Sequence, residues 1–345
     1  MGLLKADEKE LEHLERTKWK RVGKTLAKDW RLYALLVPML AFLILFKYMP
    51  IYGLLQGFKT YNAVESVLEQ DWRGIGYLLN IFRGNTTGSD GTQQFWVAFR
   101  NTFVNSMYGL FFGFPIPIII ALFFTEIKNG TVRSVVQVCT YLPKFMSTIV
   151  TATIIIVWCR PYTLSGTTTY APGLLQKFCE NVHLLRKNSD TGHAINSVLD
   201  SARLFRPIYQ VTGIWEGSGY GSIVYFAAAL GVSPANYEAA KIDGASKMQQ
   251  IRYVTLPGMT STLAIMLILR IGRILNVGYE KVILLYREGT YETADVISTW
   301  VYRKVDSPSE QPLGIVAGLL ESIIAMVLVI GANTISKKVS NTSLF

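Results

Sequence analysis

The chain has 345 residues, half of them apolar, with 34 Lys and Arg against 24 Asp and Glu for a formal net charge of +10. Such a chain suits one or two soluble domains or a bundle of membrane helices, so the distribution of charge decides. A basic surplus also suits nucleic-acid binding, but here the cations gather where a membrane protein meets anionic lipid and cytoplasm, which argues against nucleic acid.

In chain order, residues 1–31 hold nine Lys or Arg and six acids and read as a basic, cytoplasmic N-terminal helix resting against lipid or a partner. This segment is charged rather than apolar, so we expect no cleavable signal peptide, with the first span itself directing insertion. Six spans are predicted at about 32–56, 102–125, 134–158, 207–231, 258–285 and 313–336. The uncharged run 101–125, NTFVNSMYGLFFGFPIPIIIALFFT, is typical. At about 1.5 Å per residue it crosses a hydrocarbon core of about 30 Å. Lys128 and Arg133 in the 126–133 turn, and Lys337 and Lys338 after the last span, put those ends on the cytoplasmic side with the N-terminus and the 339–345 tail.

The first span then occupies 32–58 and a five-span core occupies 101–338, with external segments at 59–100, 159–206 and 286–312. The first two are long enough to fold, and Trp72, Phe82, Trp96, Leu174 and Leu175 offer a cap its apolar face. Pro38, Pro50, Pro115, Pro117 and Pro143 lie in or beside spans, where kinks suit a bundle around a pathway and equally suit ordinary packing. The small residues of 212–222 allow close helix approach or local unwinding. Cys139 falls in a span; Cys159 and Cys179 lie in or beside one loop, and whether they pair stays open. His13, His183 and His193 make no metal constellation, and no nucleophile–base pair or phosphate-cradling loop is apparent, so we expect neither a metal site nor an enzyme.

Between the fourth and fifth spans lies VSPANYEAAKIDGASKMQQIRYVTLPGM, residues 232–259, on the cytoplasmic side by the count above. Ser233 and Pro234 open a first helix, and Asp243-Gly244 breaks it. A second helix over about 245–254 sets Met248, Ile251 and Val254 along one apolar edge, and Leu256-Pro257 closes it at the membrane. Such an elbow is too short to span. It lies in the interface or docks into a groove on a soluble partner.

The spaced pattern Glu238-Ala239-Ala240, Asp243-Gly244-Ala245, Leu256-Pro257 resembles the cytoplasmic EAA loop of binding-protein-dependent ABC importer permeases of the maltose-transporter type. That resemblance implies an all-α, six-span type I importer permease with 232–257 as its coupling helix, seated in a cleft of an ATP-binding subunit. Carried over by position, Glu238 would meet the ATPase, Ala239 and Ala240 would permit close packing, Gly244 would form the bend, and Met248 and Ile251 replace aromatic residues common in the family. FRNTFVNS at 99–106, FGFPIPIIIALFFTEI at 112–127, YLPKF at 141–145, FRPIYQVTGIWEGSGYGSIVY at 205–225 and ADVISTWVYR at 294–303 resemble the branch that imports complex oligosaccharides, including those from plant-wall and uronic-acid polymers. Residues 159–203 match poorly.

The resemblance implies a bacterial plasma-membrane protein working with a second homologous permease, two ATP-binding subunits that hold ATP and Mg, and an extracellular solute-binding protein. This chain itself would carry no cofactor. Two other readings stay open at this point: the coupling loop is shared with importers of peptides and other solutes, and an elbow of this kind also suits a membrane scaffold without transport.

Sugar sites combine aromatic faces with planar polar groups that read hydroxyls. The fourth and fifth spans offer Trp215, Glu216, Tyr220 and Tyr225, then Arg270, Arg273, Asn276 and Tyr279. Arg270 and Arg273 share a helical face and would favour anionic sugars if they line the pathway. Alternatively they pair with Glu216, Glu280 or Glu321, as buried charges usually do, and Tyr286, Trp300 and Tyr302 serve as interfacial anchors.

Overall fold

Proline positions and runs free of charge set the helix boundaries in the computed structural model, which describes residues 27–83, 93–161, 163–165, 168–185 and 197–340. Most of the expected N-terminal helix, parts of both long external segments and residues 341–345 therefore lie outside the described residues. The chain divides into two units, Met1–Trp72 and Arg73–Phe345, each described by itself.

In the first unit, α1 (Trp30–Leu43) runs on through a π turn, Ile44–Tyr48, into a 3₁₀ stretch, Met49–Phe58. The π turn ends two residues before Pro50. A proline ring clashes with the carbonyl four residues back, and widening the turn relieves that contact. Beyond the span the chain folds back, with Thr60 N–H donating to the Asp71 carbonyl at 2.9 Å and Phe58 stacked on Trp72 at 6.0 Å.

The second unit begins with α2 (Gly76–Arg83) and α3 (Gln93–Phe111). A three-residue turn then leads into α4 (Pro115–Glu126), where proline is tolerated because its missing N–H is unpaired in a first turn anyway. The Asn129 side chain caps α5 (Gly130–Tyr141) by accepting from Thr131 N–H and Val132 N–H. Pro143 sits in a 3₁₀ turn, Leu142–Phe145, and Ser147 caps α6 (Thr148–Trp158), which is bent 95° from α5. A small antiparallel hairpin follows, β1 (Thr163–Ser165) with β2 (Thr168–Tyr170), and then α7 (Leu174–Asn181).

The longest helix of the middle region is α8 (Ala202–Leu230), 29 residues or about 43 Å. After it come α9 (Pro234–Ile242), α10 (Lys247–Gln250), a π turn at Ile251–Thr255, α11 (Leu256–Gly258) and α12 (Thr260–Gly272). The second π turn again ends two residues before a proline, Pro257. The chain closes with α13 (Tyr279–Leu285), α14 (Tyr291–Ala294), α15 (Ile297–Asp306) and α16 (Gln311–Ser340).

Among the described residues, Trp30–Phe58, Phe95–Glu126 and Pro308–Lys338 are long and apolar enough to cross a membrane. The bent pairs Gly130–Phe145 with Thr148–Trp158 and Lys247–Gly258 with Thr260–Gly272 raise the number to five if each is one span. The protein is thus a multi-span, essentially all-α membrane protein. Two expected spans differ in form from the prediction. The segment 258–285 is not continuous, because α12 stops at Gly272 and α13 starts at Tyr279; α8 has the length but carries Arg206, Gln210 and Glu216.

Three apolar clusters organise the second unit. One joins Tyr77, Ile81 and Phe95 to Trp300, Leu313 and Val316, with Phe95 and Trp300 edge to face at 5.2 Å. Another, including Ile155, Cys159, Cys179, Leu199 and Phe205, gathers the described part of the segment between α6 and α8, and both cysteines are free thiols. Phe82 and Trp96 pack at 5.7 Å and Leu175 joins that second cluster, whereas Leu174 stays exposed. The third, around Ala121, Tyr225, Ala229, Val232 and Met259, lies under the elbow.

A polar clasp ties the predicted external ends of α3, α8, α14 and α15. Arg206 donates to Asn101 Oδ1 at 2.7 Å, Asn101 donates to the Asp295 carbonyl at 2.9 Å, and Arg303 grips the Asp295 carboxylate through bonds of 2.8 and 2.7 Å. Burial pulls the Arg303 guanidinium down, but these hydrogen bonds and the Asp295 charge outweigh it and raise it above its ordinary value.

Candidate functional site

Two places bring together the residues singled out by sequence: the elbow at 232–259 and a cavity among α3, α4, α8 and α12.

The elbow is built as a rigid bracket. Pro234 occupies the first turn of α9, which ends where Gly244 adopts φ +75°, a left-handed conformation that a side chain disfavours. Ala245 N–H then donates back to the Ala240 carbonyl at 2.9 Å. Ser246 and Gln249 form a capping box that starts α10. The two arms are joined by Tyr237 Oη and Thr255 Oγ1 at 3.0 Å, and the start of the second is braced by Gln250 Nε2 donating to the Ala245 carbonyl at 2.9 Å.

Beneath the arms, Val232 packs so close to Gly258 that a Cβ there would fall 2.6 Å from Val232 Cγ2. Lys247 Nζ meets Glu126 Oε2 at 3.0 Å, an exposed link to the end of α4. Outward, the elbow shows Glu238, Ala239, Asp243 and Pro257 at the surface, with Ala240, Ala245, Ile251 and Leu256 half-buried. Its large apolar side chains Ile242, Met248 and Tyr253 are 86%, 72% and 67% exposed. The expected apolar edge is therefore divided: Met248 faces out, while Val254 packs on the cluster below. Met248 and Val254 are six residues apart, about 240° around a helix, so a single face does not hold both.

The cavity measures about 870 Å³, within the usual range for small-molecule sites. Of the expected pathway residues, Glu216, Tyr225, Arg270, Arg273 and Asn276 line it. Trp215, Tyr220 and Tyr279 do not; Tyr220 stands edge to face with Phe145 at 5.9 Å, and Tyr279 stacks on Tyr302 at 5.4 Å. Gly219 of α8 lets that helix approach α5 so closely that a Cβ would collide with the Thr140 carbonyl oxygen.

Charges in the cavity are arranged differently from the expected pairing. Glu216 Oε2 pairs with Lys281 Nζ at 2.8 Å, their side chains 22% and 10% exposed. Arg270 donates to the Gly109 carbonyl at 3.2 Å, and among the described residues no carboxylate lies within 4.0 Å of Arg270 or Arg273. Lys281 was not anticipated, since its partner is 65 residues away in sequence. Asn105 and Ser106 were also missed. Their signal was present: Asn101, Asn105, Gly109 and Gly113 recur every four residues in an apolar run, a polar and small stripe on one face of a helix. Among the described residues, no cluster of three or more His, Cys, Asp or Glu is placed to hold a metal.

Residues 113–279 match the family of binding-protein-dependent transport system inner membrane components. Over 320 residues the chain is 32% identical to Protein LplB of Bacillus subtilis (strain 168), covering 93% of this chain and 92% of that one. It is 29% identical over 331 residues to the polygalacturonan/rhamnogalacturonan transport system permease protein YteP of the same organism, with 96% and 95% covered. It also resembles a solved chain of a bacterial ABC transporter involved in import of the acidic polysaccharide alginate, at TM-score 0.77 and 34% identity over 93% of this chain and 99% of that one. Likeness of this extent, end to end and at this identity, places the chain in the family of inner-membrane permease components of binding-protein-dependent transport systems.

Proposed function

We propose that this chain is one permease subunit of an ATP-driven importer of oligosaccharides delivered by an extracellular solute-binding protein. The observation that carries the reading is the full-length likeness to sugar-polymer transport permeases, combined with an elbow whose Glu238, Ala239 and Asp243 face solvent beside exposed Ile242 and Met248. An amphipathic bracket with apolar side chains held outward suits a groove on a soluble subunit. Six spans, with α8 as the fourth and α12–α13 forming the fifth, place both termini and the elbow in the cytoplasm and the Asp295–Arg303 clasp outside.

In this mechanism two ATP-binding subunits, which hold ATP and Mg, close on the elbows of two permeases, this chain and a homologous partner. Tyr237–Thr255, Lys247–Glu126 and the Val232–Gly258 contact make each elbow move with α4 and α8 rather than swing freely. Motion at the ATPase thus tilts the helices that line the cavity. Glu238 contacts the ATPase, Ala239 and Ala240 leave room for close packing, and Gly244 fixes the bend.

Proteoliposomes holding the complete complex test this with labelled oligosaccharides and peptides. Uptake of oligosaccharide that requires ATP and the binding protein supports the reading. Uptake of peptide alone, or ATP-independent uptake, overturns it.

A further inference from the structure

The helix α7 (Leu174–Asn181) has its polarity reversed for a surface that meets water. Its inner side packs Leu175 and Cys179 into the cluster with Ile155 and Phe205, and it also buries Gln176 and Glu180. Those polar groups are satisfied inside: Gln176 Nε2 donates to Glu180 Oε1 at 3.2 Å, and Val198 N–H donates to Gln176 Oε1 at 2.9 Å. Outward, Leu174 and Phe178 lie four residues apart on one side of the helix and are 74% and 59% exposed. Val182, 51% exposed, continues that side by one turn, with its N–H donating to the Phe178 carbonyl at 3.0 Å. A helix in contact with water shows its polar side chains and hides its large apolar ones, and α7 does the opposite.

What meets the stripe follows from where α7 begins. Gly173, the residue before it, donates its N–H to the Arg160 carbonyl at 2.9 Å. It sits so close to the end of α6 that a Cβ there would fall 2.3 Å from the Val157 and Trp158 carbonyl oxygens. The first turn of α7 is therefore level with the last turn of α6, a helix without a charged residue whose Ile149, Val150, Val157 and Trp158 are exposed. An uncharged helix exposed in this way belongs among acyl chains, and a Trp at its end marks the level where acyl chains give way to headgroups. Charge fits the same level. Across residues 157–185, Arg160 and Lys177 are exposed, whereas Glu180, the one acid in that stretch, is buried. Cations beside an apolar stripe complement headgroup phosphates above acyl chains.

We propose that α7 is an interfacial helix lying on the bilayer surface at the end of α6. Leu174, Phe178 and Val182 dip among the headgroups and upper acyl chains, and Lys177 meets the phosphates. The segment between α6 and α8 is thereby anchored to lipid. This needs α6 to lie in the bilayer and is independent of the cargo and the ATPase coupling assigned above.

The complete complex, without binding protein, tests this in nanodiscs of phosphatidylglycerol and phosphatidylethanolamine. Cys139→Ala removes the exposed native cysteine, and the buried Cys159 and Cys179 leave a low labelling background. In that chain Phe178→Cys, Val182→Cys and, as a water-facing reference, Glu65→Cys each carry a bimane fluorophore; all three positions are exposed, so the label does not disturb the packing. Quenching is read with iodide in water and with lipid bearing a nitroxide near its headgroup. For a helix sunk about 5–10 Å into the headgroup boundary, we expect iodide to quench positions 178 and 182 at least about fivefold less than position 65, with the lipid nitroxide showing the reverse order. Iodide quenching at 178 and 182 equal to that at 65 overturns the proposal, because the stripe then faces water. Protection from both quenchers overturns it as well, because a protein surface then covers the stripe.

Discussion

Replacing Lys281 with methionine removes one half of an ion pair whose other half stays in the cavity wall. Glu216 Oε2 loses its partner at 2.8 Å, and Oε1 already has none among the described residues. Breaking a fully buried pair costs about 3–5 kcal/mol. Glu216 keeps 22% of its side-chain surface open, so water in the cavity offsets part of that cost, and about 2–3 kcal/mol is the working figure. For a chain of this size inside a larger complex each kcal/mol shifts the midpoint by at most about 2 °C, so the purified complex should melt up to roughly 4–6 °C lower. Adding Glu216→Gln to Lys281→Met removes the uncompensated charge and should restore most of the loss, giving a coupling of about 2 kcal/mol between the two positions. Thermal unfolding of wild type, both single variants and the double variant measures this cycle. A Lys281→Met protein as stable as wild type, or a double variant whose losses simply add, would refute the reasoning.

Other positions respond in ways set by their surroundings. Gly219→Val forces a side chain into the Thr140 carbonyl. Because the obstacle is backbone, we expect the upper end of overpacking, about 3 kcal/mol, seen as a marked fall in folded yield, whereas Gly213→Ala, with open space around its Cβ, changes little. Cys159 lies just past α6, and burial, with Cys179 beside it, pushes its thiol up to about 12. A folded pKa above the unfolded one favours the protonated thiol, so this residue leaves stability intact below about pH 9 and lowers it as pH rises from there toward 12. Alkylation of Cys159 in the folded protein should therefore be negligible at pH 8; rapid labelling there would contradict the burial.

Much of the architecture was written in local sequence. Charge-free runs marked the long apolar helices, because hydropathy acts residue by residue. The elbow was legible for the same reason: Asp243-Gly244 and Ser246 through Gln249 specify a break and a cap within a few residues. The features that stayed hidden depended on distant partners or on helix phase. Lys281 gained meaning only through Glu216, and Gly219 only through Thr140. Met248 and Val254 part because six residues turn a helix by about 240°, a phase that a three-residue spacing overlooks. Tyr220 and Tyr279 were offered as cavity aromatics, yet Phe145 and Tyr302 hold them elsewhere. Asn105 could have been found, since a polar residue deep in an apolar run needs a partner or a cavity.

The measurement that bears most directly on the central claim is ATP hydrolysis by the reconstituted complex with cargo-loaded binding protein, comparing wild type with Glu238→Lys and Gly244→Pro. Glu238 is solvent-facing and outside every apolar cluster, so its substitution spares the fold, while proline cannot adopt the φ of +75° that the bend requires. The account predicts that both variants still insert in the membrane but lose the stimulation of hydrolysis by loaded binding protein. Stimulation that survives in both variants would contradict the assignment of 232–257 as the link between ATPase and permease.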